Sequence, residues 1–190
     1  MASGSERRRE FFKLLGLPFT CVSPSVDESF DPSWEPRSVA EGLALRKARK
    51  ISEISGNENA PWILGADTIV ALEGEIFGKP QDRTDAGRML TALQGRNHEV
   101  ITAIALFMGK TKTFDLRSVK SEVSFAALSG AEMEWYLDSG EWKDAAGAYK
   151  IQGLASCFIN SISGSYSSIV GLPLREFYVM LRDNKYPFRL

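Results

Sequence analysis

Three features of this 190-residue chain predict an α/β layer fold around a mixed central sheet. Residues 63–72 read Ile-Leu-Gly-Ala-Asp-Thr-Ile-Val-Ala-Leu, an apolar run bounded by Pro61 and by Glu73-Gly74, which is the pattern of a buried central strand. Segments with helical apolar spacing alternate with strand pairs joined by short turns, which places helices over a sheet. At 44% hydrophobic and 11% aromatic residues the chain can bury one substantial core, so a single domain spanning 1–190 is expected.

In chain order, Ser5 can cap a helix over 6–15 that Gly16 closes. Residues 19–22 read as a short strand, and 24–36, with three prolines and a cluster of acids, as a loop. A second helix covers 37–54. The 63–72 strand turns at Glu73-Gly74-Glu75 into Ile76-Phe77, and Gly78-Lys79-Pro80 ends that hairpin. Residues 83–94 carry Ala86, Met89, Leu90 and Leu93 on one helical face, closed by Gly95. Strands at 100–108 and 113–125 flank a tight turn at Gly109-Lys110. Ser129 with Glu132 forms a capping box for a helix to 138. A glycine-punctuated loop leads to a strand near 155–162. Pro173 opens a final helix carrying Leu174, Phe177, Tyr178 and Leu181.

Composition narrows the function. A formal net charge of -1 with 25% charged residues gives no global field toward nucleic acid or membrane. No apolar stretch is long enough to span a bilayer, and the first residues lack the apolar core of a signal peptide. Cys21 and Cys157 have no metal-ligand spacing; they read as small core hydrophobes of a reduced, cytoplasmic protein. The lone histidine, His98, rules out a His-rich metal site and reads as structural.

Several polar groupings carry the chemistry. Asp67 interrupts the central apolar strand, where an ionised carboxylate is costly unless a cation, a metal or hydrogen-bond donors meet it. It is either a structural Asp, capping a turn or pairing a buried Arg, or a catalytic or metal-binding Asp at a cleft; the remaining groupings favour the second. Ser3-Gly4-Ser5 precedes a helix, where free N–H groups and the helix dipole suit an anion. Arg7, Arg8 and Arg9 add charge there, and Arg8 heads the apolar stripe of Phe11, Phe12 and Leu15. Lys47 falls inside the stripe of Leu43, Ala44, Ala48 and Ile51, so it either snorkels to an edge or meets a partner charge, while Arg46 and Arg49 point away. Lys79 returns to the Asp67 end of the sheet. The loop 139–153 is too apolar for a linker and too rich in glycine for a helix, and its Gln152 offers both a donor and an acceptor to a base edge. Asp27 and Glu28 supply further oxygens for Mg²⁺ beside Asp67. This inventory suits a polyphosphate with its metal.

The motifs Ala-Ser-Gly-Ser-Glu-Arg-Arg-Arg-Glu at the start, Arg46-Lys47-Ala48-Arg49, Gly65-Ala66-Asp67-Thr68 and Gly78-Lys79-Pro80, then Ala146-Gly147-Ala148-Tyr149 through Ile151-Gln152-Gly153, Gly164-Ser165-Tyr166 and Val170-Gly171-Leu172-Pro173-Leu174 follow a known order. The chain resembles the Maf proteins, nucleoside triphosphate pyrophosphatases with an inosine-triphosphatase-like α/β fold, a twisted mixed central sheet flanked by helices. The resemblance implies Asp67 as the catalytic acidic residue and Arg8, Thr68 and Gln152 as substrate-sorting positions. It implies Ser3, Arg7, Lys47 and Lys79 on the phosphate side, and Glu28 with Asp67 near a divalent metal, Mg²⁺ or Mn²⁺. Tyr149 with Gln152-Gly153 looks like the subgroup hydrolysing dTTP and UTP to the monophosphate and pyrophosphate, with modified pyrimidine nucleotides as a further class, rather than the subgroup acting on 7-methyl-GTP. A nucleotide-pool house-cleaning role and a homodimer, binding neither nucleic acid nor membrane, go with it. The rival readings are a nucleotide-binding regulator of cell division or septum formation with little turnover, and purine selectivity on the same fold. Two positions depart from the family pattern: Met1 stands where a short apolar strand is expected ahead of Ala2, and Lys150 where small residues are usual.

Overall fold

The apolar run forms the long strand β1 (Trp62–Leu72) at the heart of a five-stranded sheet in a computed structural model that describes residues 1–2, 4–55 and 62–188. β2 (Glu75–Phe77) pairs with one edge of β1 and β3 (Asn97–Met108) with the other. β4 (Thr113–Phe125) and β5 (Ile159–Ser163) continue outward, giving the order β2-β1-β3-β4-β5 with every pair antiparallel. Parallel pairing comes from Ala2, which bridges Gly65 on one side and Val22 on the other. Its N–H donates to the Leu64 carbonyl at 2.7 Å, and Val22 donates to the Met1 carbonyl at 3.0 Å. The sheet expected to be mixed is thus antiparallel in all its strand pairs, with a parallel component only at the isolated bridges of Ala2. Ala2 is fully buried, and the strand expected at 19–22 reduces to the single bridge at Val22.

Side chains alternate across β1 and β3, and the two faces bury different partners. Ile69, Ile101, Ala103 and Ala105 meet Leu43, Ala44 and Ala48 of α2 (Pro36–Ile54). The opposite face divides in two. Leu64, Ala66, Ile104 and Leu106 pack on Phe12 of α1 (Glu6–Leu14) and on Phe177, Met180 and Leu181 of α6 (Leu174–Asp183). Val70, Val100, Val123 and Phe125 pack on Met89, Leu90 and Leu93 of α3 (Arg83–Leu93) and on Tyr136 and Leu137 of α4 (Gly130–Ser139). Ser129 and Glu132 close the capping box read from the sequence, and Gly140 ends α4 with φ 68°.

One edge of β1 is the feature that positions the site. Ala2 pairs it at Gly65 and β2 only from Val70 onward. Among the described residues, 66–69 thus have no ladder partner on that edge. Because neighbouring side chains alternate, Asp67 leaves this gap on the α2 face and Thr68 on the opposite one.

Several local expectations change. Of the strand expected near 155–162, residues 155–158 instead belong to a 3-10 turn over Leu154–Phe158, and β5 begins only at Ile159. The β3–β4 connection uses residues 109–112 rather than a two-residue turn, with Lys112 at φ 57° donating to the Met108 carbonyl at 2.8 Å. The short helix α5 (Tyr166–Val170) has too few residues for a periodic signal. Cys157 is exposed and Cys21 half-buried, so neither fills the core as predicted.

His98 is structural, as read from the sequence. It is buried, its Nε2 lies 2.7 Å from the Tyr149 hydroxyl, and its ring meets Tyr149 edge-on. Burial pushes the imidazole down to about 4 from an ordinary value of 6.5. As pH falls the unfolded chain protonates first, so stability is lost between about 6.5 and 4, on the order of 3 kcal/mol in full. In His98→Gln, which keeps a hydrogen-bonding group for Tyr149, the stability lost between pH 7 and pH 4.5 in urea unfolding should shrink by roughly 2 kcal/mol. An unchanged pH dependence would show that His98 is not held neutral.

Candidate active site

Lys47 and Asp67 meet because α2 lies unusually close to β1. A Cβ at Gly65 would overlap the Ala44 carbonyl oxygen and the Ala48 backbone nitrogen. Only glycine permits that approach, and Ala103 and Ala105 on β3 extend the shallow seat. One turn along α2, the Lys47 ammonium reaches Asp67 Oδ1 at 2.5 Å and Glu28 Oε1 at 2.7 Å. The Lys47 and Asp67 side chains are 13% and 14% exposed, so this pair is largely desolvated, whereas Glu28 is open to solvent. Of the two readings left open for Lys47, the partner charge is the one realised.

Burial raises the Asp67 carboxyl above its ordinary range; Lys47 and Arg8 oppose the rise and Glu28 adds to it. Burial also works to raise Glu28, but there the hydrogen bond and charge of Lys47, helped by Lys79 and Arg8, outweigh it and leave Glu28 below its usual range. The two carboxylates share one lysine yet shift in opposite directions because Asp67 has lost far more of its water than Glu28 has. That separation favours Asp67 over Glu28 as a proton acceptor near neutral pH.

On the opposite face, Arg8 reaches in from α1. Its Nε donates to the Gly171 carbonyl at 2.7 Å and its Nη2 to Thr68 Oγ1 at 3.1 Å. Burial, with Arg7 nearby, pulls its guanidinium down to about 10 against the opposing charges of Asp67 and Glu28, so it stays protonated at neutral pH. Burial likewise lowers Arg7, with Asp144 acting against it.

These side chains line one cleft of about 940 Å³. Arg7, Arg8, Glu28, Lys47, Asp67, Thr68, Lys79 and Gln152 all face it, as does Lys150. Ser3 lies outside the described residues; Gly4 and Ser5, next to it, line the cleft at the start of α1. Asp27, offered from the sequence as a metal oxygen, does not line it: its carboxylate accepts from the Ser29 N–H at 2.9 Å and from the Ser29 hydroxyl at 2.8 Å.

Sequence reading missed the residues that hold the loops. Arg46, assigned to a solvated face, donates to the carbonyls of Asp27 and Ser29 at 3.0 and 2.7 Å and so fixes the backbone on both sides of Glu28. Glu141 accepts from the N–H groups of Leu154 and Ala155 at 2.8 and 3.3 Å, capping the turn that follows Gln152, and a Cβ at Gly153 would overlap that carboxylate. Gly147, at φ 68°, packs where a Cβ would press on Val70 and donates to the Gly78 carbonyl at 3.0 Å, tying the 146–153 loop to the end of β2. The glycine at 153 was the available signal for Glu141; nothing local marked Arg46.

The model of a family described as Maf-like protein matches residues 1–184. A dTTP/UTP pyrophosphatase of Symbiobacterium thermophilum is 44% identical over 187 residues, covering 98% of this chain and 94% of its own. A dTTP/UTP pyrophosphatase of Hahella chejuensis is 46% identical over 183 residues, covering 96% and 90%. A nucleoside-triphosphatase / dITP/XTP pyrophosphatase structure from Mycobacterium abscessus covers 96% of the chain and 92% of its own, at 12% identity and a TM-score of 0.42, too low to carry an argument.

Removing the Lys47 charge strands a buried carboxylate. Lys47→Met should destabilise the protein by roughly 3 kcal/mol at pH 8, and by less as the pH falls, since Asp67 can then take up a proton. The same change at Lys79, which is exposed, should cost less than about 1 kcal/mol at any pH. Urea unfolding of both variants at pH 8 and pH 5 checks the contrast.

Proposed function

The chain belongs to the Maf-like protein family, and on that footing we propose that it is a nucleoside triphosphate pyrophosphatase acting on dTTP and UTP. The observation that carries the chemistry is Asp67, a desolvated carboxylate of raised pKa held beside Lys47 in a cleft that Arg7, Arg8 and Lys79 make cationic. A site that only bound phosphate would be weakened by such a carboxylate. The curated relatives named for dTTP and UTP, nearly full-length matches, support the substrate class.

In the proposed reaction a water oxygen adds at the α–β anhydride and the bond to the bridging oxygen breaks. The products are a nucleoside monophosphate and pyrophosphate. Asp67 takes the proton of the attacking water, and its raised pKa brings it closer to the working range of a general base. Lys47, Lys79 and Arg7 stabilise charge gathering on the departing pyrophosphate, an interaction worth most where water is excluded. The start of α1, with Gly4 and Ser5, adds backbone donors to the same end. The aliphatic surfaces of Val70, Ile169 and Val170 leave a slot for a base, and Arg8, Thr68 and Gln152 supply its polar readers.

The donor set fits a divalent cation, Mg²⁺ or Mn²⁺. Glu28 Oε1 and Asp67 Oδ1 already converge on one cationic atom, the Lys47 ammonium, at 2.7 and 2.5 Å. Two carboxylates suffice when triphosphate oxygens and water complete the shell; among the described residues there is no cluster of three acidic, His or Cys ligands. Such an ion would neutralise phosphate charge and polarise the anhydride.

Pyrophosphate release measured across UTP, dTTP, CTP, dATP, dGTP and 7-methyl-GTP should be fastest for UTP and dTTP; equal rates on all would contradict the reading. Asp67→Asn should lower turnover on the order of 10²-fold or more, with nucleotide affinity kept. Its stability should change by less than roughly 1 kcal/mol, because Lys47 retains Glu28 as its counter-charge. If the folded variant keeps full activity, Asp67 is a structural ion-pair member only. Chelator treatment should abolish release, and Mg²⁺ or Mn²⁺ should restore it; metal-independent turnover would remove the cation from the mechanism.

A further inference from the structure

Thr68 stands directly opposite Thr102 across the β1–β3 ladder, and Thr102 is wholly buried. The Thr102 hydroxyl oxygen lies 2.7 Å from the Ser168 carbonyl oxygen and 2.9 Å from the Thr68 hydroxyl oxygen. Two oxygens 2.7 Å apart need a proton between them, and a carbonyl has none to give, so the single hydroxyl proton of Thr102 is spent on Ser168. The Thr68–Thr102 contact needs a proton as well, and only Thr68 can supply it. Thr68 therefore donates inward. Its oxygen accepts from Arg8 Nη2 at 3.1 Å, which leaves one lone pair on a side chain that lines the cleft. Arg8 is committed in the same sense, with Nε donating to the Gly171 carbonyl.

We infer that the buried Thr102–Ser168 contact locks Thr68 as an acceptor-only group, making Thr102 a positioning residue that selects bases with a ring N–H donor. Uracil and thymine present that N–H between two carbonyls. Cytosine presents an acceptor at the same ring position, and two facing lone pairs leave both groups unpaired. A polar group of fixed polarity discriminates far better than an apolar slot, because the wrong base leaves buried polar groups without partners. The inference rests on the proposed uracil- or thymine-nucleotide reading of the cleft and deepens it, by naming what holds the reader's polarity. Nothing in it requires Thr102 to touch the substrate.

The test is the ratio of kcat/KM for UTP over CTP in wild type, Thr102→Val, Thr102→Cys and Thr102→Ser. Valine keeps the shape and removes the proton relay, so Thr68 is free to rotate and donate to cytosine. Cysteine keeps the volume with a weak donor and gives a second reading if the valine variant folds poorly. The ratio should fall at least about tenfold in the valine variant, fall also in the cysteine variant, and stay within about twofold of wild type in the serine variant. Dissociation constants for UMP and CMP should move the same way, which separates recognition from turnover. A folded Thr102→Val or Thr102→Cys protein with the wild-type ratio, or with both substrates reduced equally, would overturn the assignment, since a purely structural threonine predicts that pattern. A wild-type enzyme that releases pyrophosphate from UTP but shows no preference over CTP would overturn it too. A wild type that turns over neither UTP nor dTTP would instead overturn the reading on which it rests.

Discussion

The Lys47–Asp67 pair is the interaction on which the cleft depends, and it exists because a helix can approach a strand at a glycine. Taking a carboxylate out of water costs several kcal/mol unless a counter-charge meets it at close range. Here the counter-charge arrives from α2, whose Ala44 and Ala48 rest on Gly65 with no room for a side chain between them. The small residues are thus not a packing accident. They set the helix–strand distance at which a lysine emerging from an apolar stripe reaches Asp67 at 2.5 Å. The same ammonium reaches back to Glu28, whose loop is held by Arg46 gripping the carbonyls on either side of it. One lysine therefore draws together a strand, a helix and a loop that are distant in sequence.

The broken edge of β1 makes the site two-sided. Between its pairing with Ala2 at Gly65 and with β2 from Val70, the strand opens onto the cleft. Successive residues point to opposite faces there, so Asp67 presents charge toward α2 while Thr68 presents a hydroxyl toward Arg8 and the aliphatic wall. A nucleotide has the same division: a charged polyphosphate that wants cations, and a flat base that wants an apolar slot with a few polar readers. Adjacent positions on one strand serve both needs without a long loop, and the rigidity of a paired strand fixes the spacing between them.

Around this frame the polar groups are held in fixed senses. Glu141 caps the turn after Gln152 through two backbone N–H groups, and Gly147 locks the start of the same loop against Val70 and Gly78. Thr102 and the Ser168 carbonyl set the direction of the Thr68 proton. Each contact is ordinary by itself. Together they remove rotational freedom from the groups that line the cleft, which is how recognition gains selectivity without new substrate contacts.

The sequence by itself determined the elements and most of the lining. A ten-residue apolar run, helical stripes and a Ser129–Glu132 capping box are local signals, and the strand, the helices and the cap stand where those signals put them, within a few residues at their ends. Asp67 was visible because charge inside an apolar strand is costly, and Lys47 because it sits on the wrong side of its helix. What the tertiary structure alone decided is which partner satisfies each of them. Lys47 pairing with Asp67 rather than snorkelling, Arg46 anchoring the Glu28 loop, Ala2 bridging in parallel to Gly65 and Thr102 orienting Thr68 all join segments far apart along the chain. The 3-10 turn at 154–158 was misread for the same reason: it is capped by Glu141, a carboxylate well before it in sequence. Periodicity encodes which face a residue takes, but the distance between two faces is set only when helix and sheet pack, and that distance decides which charges meet.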